Sequence, residues 1–245
     1  MADYDNQGVY RAQTGTHVDA RGIDAGLRAY MLSVYNYMAI GVAITGLAAL
    51  GTFYLASTNA AVAQLLYVSP LKWVVMLAPL GMVFYLSARI QRMSVPGAQI
   101  AFWVFAGMMG VSLSSIFLVY TGESIVRVFF ISAAAFGGLS LWGYMTKKDL
   151  SGWGSFLIMG LIGVIIASVV NIFLASSAMQ FAISVIGVLV FAGLTAYDTQ
   201  RIKEMYYVGD DGTVTGRKAI MGALRLYLDF INLFIMLLSL FGGRE

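Results

Sequence analysis

The chain has 245 residues, of which 60% are hydrophobic and 11% are charged, with a formal net charge of +3. About a quarter of the residues of an ordinary soluble domain are charged, so this chain has too few polar side chains to cover a surface in water. We therefore predict an integral membrane protein. The small net charge gives no indication of a nucleic-acid partner, and the absence of cysteine excludes disulfides and thiolate metal ligands.

The N-terminal residues 1–29 form a polar segment with charges of both signs and no short apolar run after Met1. A secretory signal peptide requires such a run, so we do not expect one here. We predict three parts: a cytoplasmic tail at 1–29, a membrane domain at 30–242 and a short outer C-terminus at 243–245.

Seven apolar stretches follow the tail. Each is close to the roughly 20 residues that a helix needs to cross a hydrocarbon core about 30 Å thick, and is too long for a short barrel strand. The predicted fold class is an all-α membrane protein with seven transmembrane helices. The predicted spans are 30–55, 73–89, 99–120, 125–145, 153–174, 180–200 and 219–241.

Stripes of small residues indicate where these helices pack. Gly41, Thr45 and Ala49 share one face of the first span, and a similar stripe runs from Gly163 to Asn171 on the fifth. Small side chains let helix backbones approach closely inside lipid. We interpret both stripes as helix-packing surfaces rather than as pore lining.

The distribution of basic residues predicts the orientation. With the N-terminus inside, eleven lysines and arginines fall in or beside inner segments and three fall in or beside outer ones. Cytoplasmic segments carry such an excess. We predict a cytoplasmic N-terminus and an outer C-terminus.

Three ionisable residues lie within or near the last two apolar spans: Asp198, Arg225 and Asp229. An aspartate or arginine at the centre of a membrane helix costs about 2.5–3.5 kcal/mol, so each needs a reason to be there. In a structural interpretation, Arg225 neutralises Asp229 four residues away, and Arg201 serves Asp198 in the same way. In a functional interpretation, the two acids meet and share a proton or hold a cation.

Two segments carry a resemblance to a known family. The sequences AGLTAYDTQRIKEMY (192–206) and GALRLYLDFINLFIMLLSLFG (222–242) resemble the paired signature of the Bax inhibitor-1, or transmembrane Bax-inhibitor-motif, family. The order of the seven spans extends the resemblance over residues 30–242. It implies a bacterial member in the inner membrane, with a central seventh helix surrounded by six others.

The resemblance also implies a function. It suggests a pH-sensitive calcium leak channel gated by an aspartate pair on helices six and seven, which by motif position are Asp198 and Asp229. The same pair would bind calcium weakly. An arginine at the cytoplasmic end of helix two would hold the closed form; Arg89 is our candidate and Arg92 its competitor. Arg225 stands where members of the family often have a small neutral residue, so we expect it to modulate the pH response.

A different class of function stays open. The protein could be a non-conducting membrane regulator, for example a modulator of a membrane-anchored ATP-dependent protease that it contacts through residues 1–28. An enzyme is not expected, because the single histidine, His17, lies in the polar tail. A retinal protein is not expected either, because it would need a lysine within the seventh span and that span has none. A proton-coupled transporter also fits two membrane acids. The expected partners are the lipid bilayer and the calcium ion, with no cofactor besides the transported ion.

Overall fold

The computed structural model describes residues 20–243, and the side chains of residues 25–243. Residues 1–19 of the predicted tail, which include His17, lie outside the described residues. Within the described part, seven helices are long and apolar enough to cross a membrane, as the sequence predicts. The helices are α1 (Ala20–Thr58), α2 (Leu71–Arg89), α3 (Val95–Leu113), α4 (Gly122–Met145), α5 (Ser151–Leu174), α6 (Ser177–Glu204) and α7 (Gly212–Phe241).

The closest pair of spans, α3 and α4, is separated by a capped helix end. The chain leaves α3 through a 3-10 turn at Ser114–Leu118. Thr121 then caps α4, because its hydroxyl oxygen accepts a hydrogen bond from the Ser124 backbone N–H at 3.3 Å. A cap satisfies a backbone donor that has no partner inside the helix. These two apolar runs are therefore two helices joined by a tight turn.

Helix α7 is the centre of the bundle. In its most apolar window 56% of the residues are buried, against 17% for α2 and for α5. Helices α1, α3, α4 and α6 pack directly on α7, whereas α2 packs mainly on α3, and α5 on α6. The predicted arrangement of six helices around the seventh is confirmed. Helices α2 and α5 face each other across a cleft that α6 and α7 also line.

Hydrogen bonds connect neighbouring helix ends at both ends of the bundle. At one end the Lys203 ammonium donates to the Tyr144 carbonyl oxygen at 2.9 Å, and Arg217 donates to the Met93 carbonyl oxygen at 2.7 Å. At the other end the Gly243 N–H donates to the Ser124 hydroxyl at 2.8 Å. The end of α7 therefore lies beside the start of α4, opposite the basic end of the bundle. Which end faces the cytoplasm stays a prediction from the positions of the basic residues.

Candidate functional site

The structure brings the two predicted acids together. Asp198 lies near the end of α6 and Asp229 lies in the middle of α7, and these two helices pack along each other. The two carboxyl groups line the same cleft and lie close enough to interact electrostatically. The Asp198 side chain is 16% exposed and Asp229 is 5% exposed. The arrangement that the functional interpretation requires is therefore present.

The arginine contacts differ from the local pairing that helix spacing predicts. Arg225 Nη1 lies 3.8 Å from Asp198 Oδ1, on the neighbouring helix, rather than pairing with Asp229 on its own. Arg201 pairs with Glu204 at 3.5 Å instead of serving Asp198. The ion pairs of this structure are therefore not the two that helix spacing predicts: α6 supplies the carboxylate paired with Arg225, although residues four apart on α7 do share a face.

Asp229 is left with an unsatisfied oxygen. Within the described part of the chain, Asp229 Oδ2 is buried and has no hydrogen-bond partner. A buried polar atom without a partner is costly, and in native structures it needs an explanation such as a functional role or an unseen water or ion. Asp229 is therefore the group at this site whose surroundings best accommodate an added proton or cation.

The acids lie in a cleft of about 760 Å³ between α2, α5, α6 and α7. One part of the lining is polar and includes both acids, both arginines and an amide. The other part is apolar and comes largely from α5. The charged and amide residues of the lining are Asp198, Arg201, Arg225, Asp229 and Asn232.

Two cleft residues that the sequence analysis did not select follow Asp229 on the same face of α7. Asn232 Nδ2 donates to the Leu228 carbonyl oxygen at 2.8 Å, a bond that does not use the amide oxygen. Met236 packs on Gly187 of α6 so closely that a Cβ there would be 2.8 Å from its sulfur. The spacing of three and seven residues from Asp229 is the signal that could have identified them.

Beyond Met236 the two helices are tied together. The Ser184 hydroxyl donates to the Ser239 hydroxyl at 2.9 Å, and Gln180 Nε2 donates to the same oxygen at 3.3 Å. The lining of the cleft includes Met236 but none of these three residues. The cleft therefore ends where the thioether and this hydrogen-bonded cluster close the α6–α7 interface.

Arg89 does not reach the acids in this structure. It is exposed at the end of α2, and no ion pair of the described residues includes it. Arg92 is likewise exposed and unpaired in that part of the chain. Helix α2 contributes Leu80, and neither arginine, to the lining of the cleft. The basic partner of the acid pair here is Arg225.

The acid pair offers few ligands to a cation. Among the described residues there is no group of three or more acids or histidines that could hold a metal. Calcium takes about 6–8 oxygen ligands, so two carboxylates and the Asn232 amide would leave most positions to water. Such a site would bind calcium weakly and release it readily.

Comparison with known proteins identifies the family. The model of the family described as "Inhibitor of apoptosis-promoting Bax1" matches residues 27–245. A protein of Rickettsia prowazekii is 50% identical over 91% of this chain and 92% of its own length. The inner membrane protein YbhL of Escherichia coli K12 is 46% identical over 90% of this chain and 94% of its own. A membrane protein of Streptococcus pyogenes is 36% identical over 94% and 99%. The chain thus belongs to the Bax inhibitor-1 family of membrane proteins.

Proposed function

We propose that this protein is a pH-sensitive calcium leak channel gated by Asp198 and Asp229, and that it works in a bacterial inner membrane. The observation that carries the proposal is the meeting of these two carboxyls, one from each of two packed helices, within a cleft. Ionisable groups inside membrane bundles commonly mark ion pathways and proton relays.

Charge counting shows how a proton would act as a switch. With one proton shared by the pair, a single carboxylate faces the Arg225 guanidinium and the site is neutral. The shared proton also makes a hydrogen bond that ties α6 to α7. When that proton leaves, two carboxylates face one guanidinium, and the site carries one uncompensated negative charge in a poorly solvated position.

The site can respond to the uncompensated charge in two ways, and each would affect conduction. The two carboxylates repel each other and press α6 and α7 apart, or they recruit a cation from the cleft. Calcium suits the recruitment of a cation, because it is a hard cation that prefers carboxylate oxygens. Conduction also requires that the ion leave, and the small number of protein ligands favours release.

Arg89 enters this proposal as the residue that holds a closed form. Its contact with the acids would require the end of α2 to move toward the cleft. Helix α2 packs mainly against α3, and only 17% of its apolar window is buried, so it is among the least constrained of the spans. Substituting Arg89→Ala should then raise the resting leak, and Arg92→Ala should not.

The experiment is calcium flux into liposomes that contain only this protein, measured across a range of pH. We expect Asp229→Asn and Asp198→Asn each to flatten the pH dependence, because each keeps the side-chain size and removes the shared proton. The double variant should be little worse than either single one, since the pair acts as a unit. Glu204→Gln is the matched control: Glu204 is an acid on α6 that is 48% exposed and paired with Arg201.

Two outcomes would overturn the proposal. A wild-type pH dependence in both single variants would leave the acid pair with a structural role. An absence of flux at every pH would favour the non-conducting regulator. For the regulator, deletion of the tail at residues 1–28 should abolish the effect on its protease, whereas the two Asp→Asn substitutions should leave that effect intact.

A further inference from the structure

A second feature of the bundle lies between α1 and α4, away from the acid cleft. Three cavities of about 600, 630 and 290 Å³ follow one another along this seam. The first two share Met38, Ala39 and Phe136 in their linings. The second and third share Phe129 and Phe230, among others. The three cavities therefore form one groove, which we call the α1–α4 groove.

The groove has the length of a membrane leaflet or more. Its lining on α1 extends from Arg28 to Leu50, which corresponds to about 33 Å of helix at 1.5 Å per residue. Both flanking helices are membrane spans, so the groove opens toward lipid. Over most of its length the lining is aliphatic or aromatic, and Phe230 of α7 lies at its floor.

Polar and charged groups occur at one end of the groove. Arg28, Tyr35, Ser140 and Tyr144 line the cavity at that end. The Tyr35 and Ser140 hydroxyls are hydrogen-bonded to each other at 2.7 Å. The Lys203 ammonium lies 5.2 Å from the centroid of the Tyr144 ring. Arg28 of α1 therefore places a positive charge at the mouth of the groove, whereas the Lys203 ammonium of α6 is hydrogen-bonded to the Tyr144 carbonyl oxygen.

We propose that the α1–α4 groove binds an anionic phospholipid, with one acyl chain in the apolar part and the phosphate at Arg28. The apolar lining fits the chain, and the positive charge at a single end fits the headgroup. A neutral lipid would use the apolar lining but not the positive charge. Basic side chains between or beside membrane helices on the cytoplasmic side are suited to anionic headgroups.

Two neighbouring glycines allow a matched test of the acyl-chain site. Gly137 lines the groove, and a Cβ built on it would meet no atom within 4 Å. A Cβ on Gly138 is equally unobstructed, but Gly138 does not line any part of the groove. Gly137→Leu should therefore fill the groove, and Gly138→Leu should place the same side chain on the neighbouring surface of α4.

The measurement is native mass spectrometry of protein purified in mild detergent, delipidated and then mixed with phosphatidylglycerol or phosphatidylcholine. We expect the wild type and Gly138→Leu to retain a phosphatidylglycerol molecule, and Gly137→Leu to lose it. If Gly137→Leu fails to fold, Gly46→Leu fills the same groove at a position that is also free of neighbours within 4 Å.

The headgroup is tested separately. Arg28→Gln should reduce the preference for phosphatidylglycerol over phosphatidylcholine by about fivefold, the effect of one basic residue near an anionic headgroup. Arg92→Gln, an exposed arginine outside the groove, should leave it unchanged. Equal retention in both leucine variants would overturn the site, and an equal affinity of the wild type for the two lipids would overturn its selectivity. Neither result depends on calcium flux.

Discussion

Two faces of α7 are packed in opposite ways. On the face toward α1 and α3, Tyr227 is fully buried, and its hydroxyl is 2.6 Å from the hydroxyl of Thr45. Phe102 and Phe105 make T-shaped contacts with the tyrosine ring, with centroids 5.9 and 5.2 Å away. On the face toward the cleft, Arg225 is 45% exposed and stands beside open space.

The difference separates stability from the proposed switch along a single helix. The Tyr227 face has close contacts and satisfied hydrogen bonds, so changes there should cost folding free energy. The cleft face has a charged pair, an unsatisfied carboxylate oxygen and room for rearrangement, so changes there should alter flux and leave folding largely intact. Segments that move in function are drawn from the less stable parts of a protein.

The largest effect should come from crowding the packed face. Gly110 of α3 lies so close to α1 that a Cβ would overlap the Thr45 carbonyl oxygen and lie 2.6 Å from the Ala48 Cβ. Overpacking typically costs about 1–3 kcal/mol and occasionally more. We expect Gly110→Val to lower the Tm in detergent markedly.

The control for this prediction lies one turn earlier on α3. A Cβ on Gly107 would meet no atom within 4 Å, so Gly107→Val makes the same change in open space. Any effect of valine on the helix itself is common to both variants. Equal Tm values for the two would show that the packed face is not held by the close approach of α1 and α3.

A smaller effect should come from the hydrogen bond on the same face. Tyr227→Phe removes the hydroxyl but keeps the ring against Phe102 and Phe105. The Thr45 hydroxyl still has the Gly41 and Ala106 carbonyl oxygens, at 3.0 and 2.9 Å, as acceptors for its single proton. Hydrogen bonds between membrane helices average about 0.6 kcal/mol, so the fall in Tm should be modest. The pH profile of flux should not change, and a shifted profile would mean that the two faces are coupled.

The sequence predicts the packed face and the helices well, because both depend on local patterns. Runs of about 20 apolar residues define the spans. The stripe at Gly41 and Thr45 does pack, since a Cβ on Gly41 would lie 2.8 Å from the Phe102 ring. The stripe on the fifth span packs in part. Gly163 faces open space, whereas the buried Asn171 side chain donates a hydrogen bond to the Gln180 amide oxygen of α6 at 3.2 Å.

The contacts in the cleft were harder to predict, because they depend on how neighbouring helices are rotated. The YDTQ and YLDFINLF motifs located Asp198 and Asp229. Arg225 pairs with Asp198 rather than with Asp229 because α6 lies beside α7. The spacing of residues along one helix carries no information about that position. The α1–α4 groove could not be predicted for the same reason, since it is the space left between two helices distant in sequence.

The smallest effect on stability, with a clear effect on flux, should come from Arg225→Gln. The pair with Asp198 spans 3.8 Å and the arginine is nearly half exposed, so its loss should cost at most about 1 kcal/mol. The acid pair, however, loses a nearby positive charge that favours its ionised form. The midpoint of the pH dependence of flux should therefore move to higher pH, and the shift should be small because water screens the arginine.

Arg201→Gln supplies the control for that shift. Arg201 also lines the cleft and is similarly exposed, but its partner is Glu204. If the midpoint moves only in Arg225→Gln, the direct contact with Asp198 sets the response. An equal move in both variants would assign it to the general positive charge of the cleft instead. If neither variant moves the midpoint while the aspartate variants abolish the pH dependence, Arg225 does not contribute to the switch, although the packed and cleft faces still differ.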